Sequence, residues 1–171
     1  MLCVTSYVAM LRAVNVAGTG KLPMAELKAI GEACGFAHVR TFIASGNLLF
    51  ESDLDEAEVA ERIDEKVEAY FSKPVPLFVR SASEMAEVAA GNPFTEDKPS
   101  RVMAHFIAEP PTAAMLAEAR DVAGERMALG QRMIYVSYGE GIGKTRLKLP
   151  AVRHGTARNM ISVARMAGLL A

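Results

Sequence analysis

Cysteine is scarce in this chain: Cys3 and Cys34 are the only two in 171 residues, and they form no C-x-x-C pair. That excludes a disulfide framework. Both stand among apolar neighbours, so both are expected to act as small core hydrophobes in a reducing compartment. A long uncharged apolar run is also missing, which removes a bilayer-spanning helix. The opening Met1-Leu-Cys-Val-Thr-Ser-Tyr-Val has no basic leader region and meets Arg12 too early for a signal peptide. The expectation is a soluble cytoplasmic protein with no membrane partner. His38, His105 and His154 have no metal-like spacing, so neither a metal nor another cofactor is expected. Acid is absent from residues 141–171, which carry six Lys or Arg, whereas nine acids crowd the stretch from Glu51 to Glu68. Two solvated faces account for this asymmetry; an anion-binding C-terminal segment is the sharper reading.

What is present is ordinary for a globular protein. Half of the residues are apolar, about a quarter are charged, and the net charge is -1. A dedicated nucleic-acid binder usually carries a basic domain, so the balance argues against that partner. The length fits one domain or two small ones closely fused, and it leaves a homo-oligomer open.

Element signals follow one another closely. Val4 to Leu11 reads as a strand. Pro23 then opens a helix with Met24, Leu27, Ile30 and Cys34 on one face, stopped by Gly35. Val39 to Ile43 and Leu48 to Phe50 flank the turn Ala-Ser-Gly-Asn. Asp53 and Glu56 have capping-box spacing, and Val59, Ile63, Val67 and Phe71 continue a helix that Pro74 and Pro76 break before Leu77-Phe78-Val79. The order β-α-β-β-α-β predicts an α+β fold with a ferredoxin-like unit over residues 1–80, an antiparallel sheet with both helices on one face. Ser81 with Glu84 opens a short helix, and residues 81–100 read as a connector. From 101 to 171 come a strand around His105, a helix capped by Thr112 and ending near Gly124, and a hairpin around Gly130-Gln131. Thr145 to Leu149 reads as a further strand and Thr156 to Leu170 as a closing helix. The resemblance of this order to the first half predicts a duplication.

The stretch Tyr-Gly-Glu-Gly-Ile-Gly-Lys-Thr, 138–145, imitates a phosphate-binding loop. A Walker loop needs four residues between its first glycine and Gly-Lys-[Ser/Thr]; Gly139 and Gly143 enclose three. The alternation after Thr145 also denies it the helix whose amides meet the phosphates. The glycines instead predict a connection with positive φ, in which Lys144 and Arg146 stand beside backbone donors.

No catalytic group emerges. Ser45 lacks the preceding glycine of a hydrolase elbow, and the acids of 53–68 suit a solvated face better than acid–base work. Hydrogen-bonding and cationic residues do recur at element ends: Arg12 and Asn15, Ser45 and Asn47, Lys144 and Arg146, Arg158 and Asn159. Ligands are usually met at such places. These eight are the candidate ligand-binding residues. The loop after strand one, the 45–47 turn and the start of the last helix are expected to meet in one anion-accepting pocket.

At these residues the chain resembles the bacterial domain-of-unknown-function family 1697. "AMLRAVNVAGTGKLPMAELKAIGEACGFAHVRTFIASGNLLFES" is similar to that family's opening L-L-R-G-I-N-V-G-G, K-[VL]-P-M and T-[YF]-I-x-S-G-N segments. Later "GNPF", the strand with His105 and "TARNMISVARM" match too. Ala13 stands where the family has glycine in R-G-I-N, Ala17 replaces the first of two glycines, and Thr145-Arg146-Leu147 stands where Ser-Lys-Leu is frequent. The two alanines argue against a tight backbone approach there. The resemblance implies a ferredoxin-like α+β architecture in a small cytoplasmic protein, and it implies no activity. Three readings follow for function: binding of a small anionic metabolite or nucleotide, a protein-interaction or regulatory module, and weak nucleic-acid binding through the basic tail.

Overall fold

Thr5–Leu11 forms β1, and its alternation decides what each face of the first sheet meets. Tyr7, Ala9 and Leu11 point one way, Val8 and Met10 the other. The computed structural model describes residues 3–16 and 20–171. After β1 come α1 (Met24–Ala33), β2 (Ala37–Thr41), β3 (Asn47–Ser52), α2 (Glu56–Phe71) and β4 (Leu77–Ser81). The strands lie in the order β2-β3-β1-β4, and every neighbouring pair is antiparallel. Leu27 and Ile30 of α1 and Val59, Ile63 and Val67 of α2 share one core with Tyr7, Ala9, Leu11, Leu48 and Phe50. Both helices therefore cover the same face, as their apolar stripes predict. Within that core Phe36 and Phe50 stack at 4.1 Å.

The start of α2 differs from expectation. Its capping box is Asp55 with Glu58, each side chain accepting from the other's backbone amide. Asp53 and Glu56 are not used, because the preceding turn is already committed. Ser52 accepts the Leu54 amide, and the Tyr7 hydroxyl donates to the Leu54 carbonyl, which fastens residues 52–54 to the sheet before the helix begins. Cys34 is buried, and burial pushes its thiol up, but Cys3 is exposed and is no core residue.

The second stretch contains α3 (Ala82–Ala90), β5 (Val102–Phe106), α4 (Ala113–Ala117), β6 (Arg126–Leu129), β7 (Met133–Ser137), β8 (Thr156–Asn159) and α5 (Met160–Leu170). Its sheet runs β6-β7-β5-β8, again antiparallel throughout, so the winding of the first sheet is repeated. Three expectations are corrected here. Thr156–Asn159 is a strand, because Thr156, Ala157, Arg158 and Asn159 pair in sequence with Phe106, His105, Ala104 and Met103. The helix starts only at Met160. Residues 145–149 form no strand, and α4 stops at Ala117 rather than near Gly124. Arg120 and Lys148 exchange both backbone hydrogen bonds at 2.9 Å, which draws the chain after α4 away from helical pairing.

The chain divides into two compact units, Met1–Ser83 with Leu169–Ala171, and Glu84–Gly168. Among the described residues no helix is long and apolar enough to cross a membrane. The expected departure at Ala17 lies outside the described residues.

Candidate functional site

Four of the sequence-predicted residues come together at one end of the first sheet. The Leu11 amide donates to the Gly46 carbonyl at 2.9 Å, which joins the loop after β1 to the turn before β3. Asn15 completes the join: its Nδ2 donates to Leu22 and Ala44 carbonyls, both at 2.8 Å, and its Oδ1 accepts the Leu22 amide at 2.7 Å. Asn47 is fully buried, and its Nδ2 donates to the Phe42 carbonyl at 2.8 Å and to Ser45 Oγ at 3.0 Å. Asn15, Ser45 and Asn47 thus spend polar groups on holding these loops together.

The same two loops hold residues in the left-handed region. Ala13 has φ 53, Asn15 57, Ile43 50 and Gly46 87. Ile43 is the least expected, since a β-branched side chain crowds that conformation. Gly46 is required, because a Cβ there would stand 2.5 Å from Val14 Cγ2. Ala13 takes the left-handed turn although it carries a methyl group, so the tight turn persists where the sequence argued against it.

Arg12 is half-buried beside these loops, and its amide donates to the Pro76 carbonyl. With Lys73 it lines a cleft of about 180 Å³ walled by Phe71, Pro74 and Pro76, and among the described residues no acidic one lines it. Gly20 forms part of the floor, packed so closely that a Cβ would meet the Phe71 ring at 2.3 Å. Sequence reasoning missed Lys73. Its signal was the run Ser-Lys-Pro-Val-Pro, whose prolines rule out a helix and leave the chain to wrap the end of the sheet.

The other four candidates belong to the second unit. Asn159 caps α5, its Oδ1 accepting the Ser162 amide at 2.9 Å. Arg158 lies buried in β8, donating Nη1 to Thr156 Oγ1 at 2.7 Å and to the Ala157 carbonyl at 2.9 Å; burial lowers its pKa to about 10. It has a counterpart in the first unit. Arg80 of β4 stands opposite Val8 of β1 as Arg158 stands opposite Ala104 of β5, and each donates to the carbonyl of the residue before it. Both are buried, on the sheet face turned away from their unit's apolar cluster.

Lys144 sits on an exposed loop and pairs with Glu140 at 3.7 Å, and Arg146 is exposed nearby. Gly139 and Gly141 take positive φ, 49 and 116. A single 3-10 turn, Ile142–Lys144, follows, and Thr145 then leaves in an extended conformation. The Thr145 hydroxyl donates to Glu125 at 2.6 Å, tying the loop down. Without a helix after Thr145, the stretch has no row of amides for a phosphate. Elsewhere in this unit His105 Nε2 lies 2.9 Å from the Tyr138 hydroxyl, and burial holds the histidine near pKa 4 and pushes the tyrosine to about 12.

Two four-stranded antiparallel sheets of one winding, with five helices among the described residues, define a mixed α/β protein whose first unit ends in a braced, cationic loop cluster. The chain belongs to the family described as "Protein of unknown function (DUF1697)", whose model matches residues 4–135. It is similar in fold to the conserved bacterial protein SP0830 from Streptococcus pneumoniae. The TM-score is 0.82 and the identity 23%, over 99% of this chain and 100% of that one. No curated protein matches it.

Proposed function

We propose that the protein binds a small anion, a metabolite or nucleotide carrying phosphate or carboxylate, at the Arg12–Lys73 cleft of the first unit. The carrying observation is that two cations line this cleft and, among the described residues, no acid does. Charge-assisted donors of this kind are the strong hydrogen-bonding partners of oxyanions. In this reading Asn15, Ser45 and Asn47 are positioning residues that keep the loops in shape. In the second unit, Lys144 pairs with Glu140 on an exposed loop, with Arg146 exposed nearby. Arg158 and Asn159 serve their own strand and helix. We read each unit as one ferredoxin-like winding and the pair as a duplication, in a cytoplasmic protein whose partner is a small molecule rather than nucleic acid. The two antiparallel sheets with one strand order support the repeated winding and the duplication.

The test is thermal unfolding with inorganic phosphate, pyrophosphate and ATP as probes. A ligand at 100 times its Kd adds about 2.7 kcal/mol of stability. Arg12→Ala and Lys73→Ala should each remove that gain; an unchanged gain in both variants overturns the assignment. A second reading, an interaction module without a small ligand, has its own support: the hydrogen bonds of Asn15, Asn47 and Asn159 go to loops and a helix end of the same unit. It predicts no stabilisation by any of the three probes.

A further inference from the structure

Away from the loop cluster, the second unit holds a larger cleft, about 380 Å³, between the end of α3, the segment after it and the first turns of α5. That volume falls in the range of about 300–1,000 Å³ common for small-molecule sites. Its walls are apolar where α5 contributes Met160, Ile161 and Ala164 and where Pro99 faces them. Ile161 is 51% exposed, a large aliphatic side chain on the open side of its helix.

The polar groups on this lining are unequal. Asp97 is already occupied: it accepts the Ser137 hydroxyl at 2.7 Å and the guanidinium of Arg126. Asn92 uses its Oδ1 on the Phe94 amide at 2.9 Å, which leaves its Nδ2 as a donor. Arg165 is exposed, lines the cleft, and makes no ion pair among the described residues. It follows Ile161 and Ala164 on one helical face, and long helical side chains lean toward the N-terminus, over the turn that carries Ile161. The acid of the cleft is neutralised, while a cation and an amide donor stand beside an apolar wall. What complements such a lining is an apolar body carrying one carboxylate.

We infer that this cleft is a binding site for small apolar carboxylic acids, with Arg165 and Asn92 as donors to the carboxylate and Met160, Ile161, Ala164 and Pro99 around the apolar part. The site is distinct from the Arg12–Lys73 cleft, which has two cations and suits more highly charged anions.

The experiment is an amide-resolved NMR titration of the full chain with phenylacetate, and with phenylacetamide as the neutral molecule of the same shape. Phenylacetate is expected to shift amides within 89–99 and 160–165, with an affinity at least tenfold above that of phenylacetamide. Arg165→Gln should bring the two affinities together and leave the unfolding midpoint in place, because the side chain is exposed. Equal affinities in the unaltered protein overturn the proposal without recourse to any variant. So do shifts confined to other segments, or no binding at millimolar phenylacetate. Inorganic phosphate, the probe for the first cleft, should leave these amides unmoved.

Discussion

His105 and Tyr138 hold one another inside the second unit, ring nitrogen to hydroxyl at 2.9 Å, with the histidine only 8% exposed. The histidine is neutral there. Burial sets its pKa near 4 against an ordinary 6.5. The unfolded chain therefore takes up a proton between those two values that the folded chain refuses, so stability is full above about pH 6.5 and falls as the pH drops toward 4. A shift of that size is worth about 3 kcal/mol by pH 4. Urea midpoints at pH 7.5, 5.5 and 4 measure it. His105→Gln should lower stability at pH 7.5 yet flatten the fall; parallel curves for the two proteins rule the account out.

Ala13 offers a stabilising change. At φ 53 its Cβ is strained, and glycine is not. Ala13→Gly should gain about 0.5–1 kcal/mol once the extra freedom of the unfolded glycine is offset. The reverse experiment is Gly46→Ala, which places a methyl 2.5 Å from Val14 and at a positive φ, and should cost more than 1 kcal/mol. A thermal midpoint that falls for Ala13→Gly would contradict the strain.

The two asparagines separate by burial. Asn47→Ala removes a fully buried side chain and the Nδ2 donor of the half-buried Phe42 carbonyl, and should cost about 1–3 kcal/mol. Asn159→Ala removes only the cap of α5, about 1 kcal/mol. Denaturant titrations should rank them in that order.

Lys144 tests the phosphate-loop resemblance. Its contact with Glu140 is an exposed pair, worth little. Lys144→Ala should change stability by less than about 0.5 kcal/mol and leave any ATP or GTP hydrolysis unaltered. A loss of hydrolysis in that variant would restore the phosphate loop as a site.

Where periodicity and turn chemistry agreed, the sequence was readable. Leu27 and Ile30, and Val59, Ile63 and Val67, gave both helices and their common face. The glycines of 139–141 gave their positive φ. What failed was decided at a distance. Thr-Ala-Arg-Asn at 156–159 reads as a helix start because Met160 onward is helical, but β5 offers it a partner, and pairing outweighs local preference. The 145–149 alternation looks like a strand, but among the described residues its strand-type pairing is the single bridge between Lys148 and Arg120. At the candidate site, Arg12 was visible from its place at the end of the first strand, whereas Lys73 lies far off in the chain and no pattern joins them. Asn15 and Asn47 were picked out as candidate ligand-binding residues; their bonding to loop carbonyls could not be read from residue type.

Each sheet takes all four of its strands from one uninterrupted stretch, residues 5–81 for the first and 102–159 for the second. On a ribosome this order matters. β4 emerges well before β5, so the first sheet and the two helices on its face can close while the remainder is still being made. Leu169–Ala171, made much later, also group with that unit. A nascent chain stalled after about residue 120 should already protect its amino-terminal half from protease.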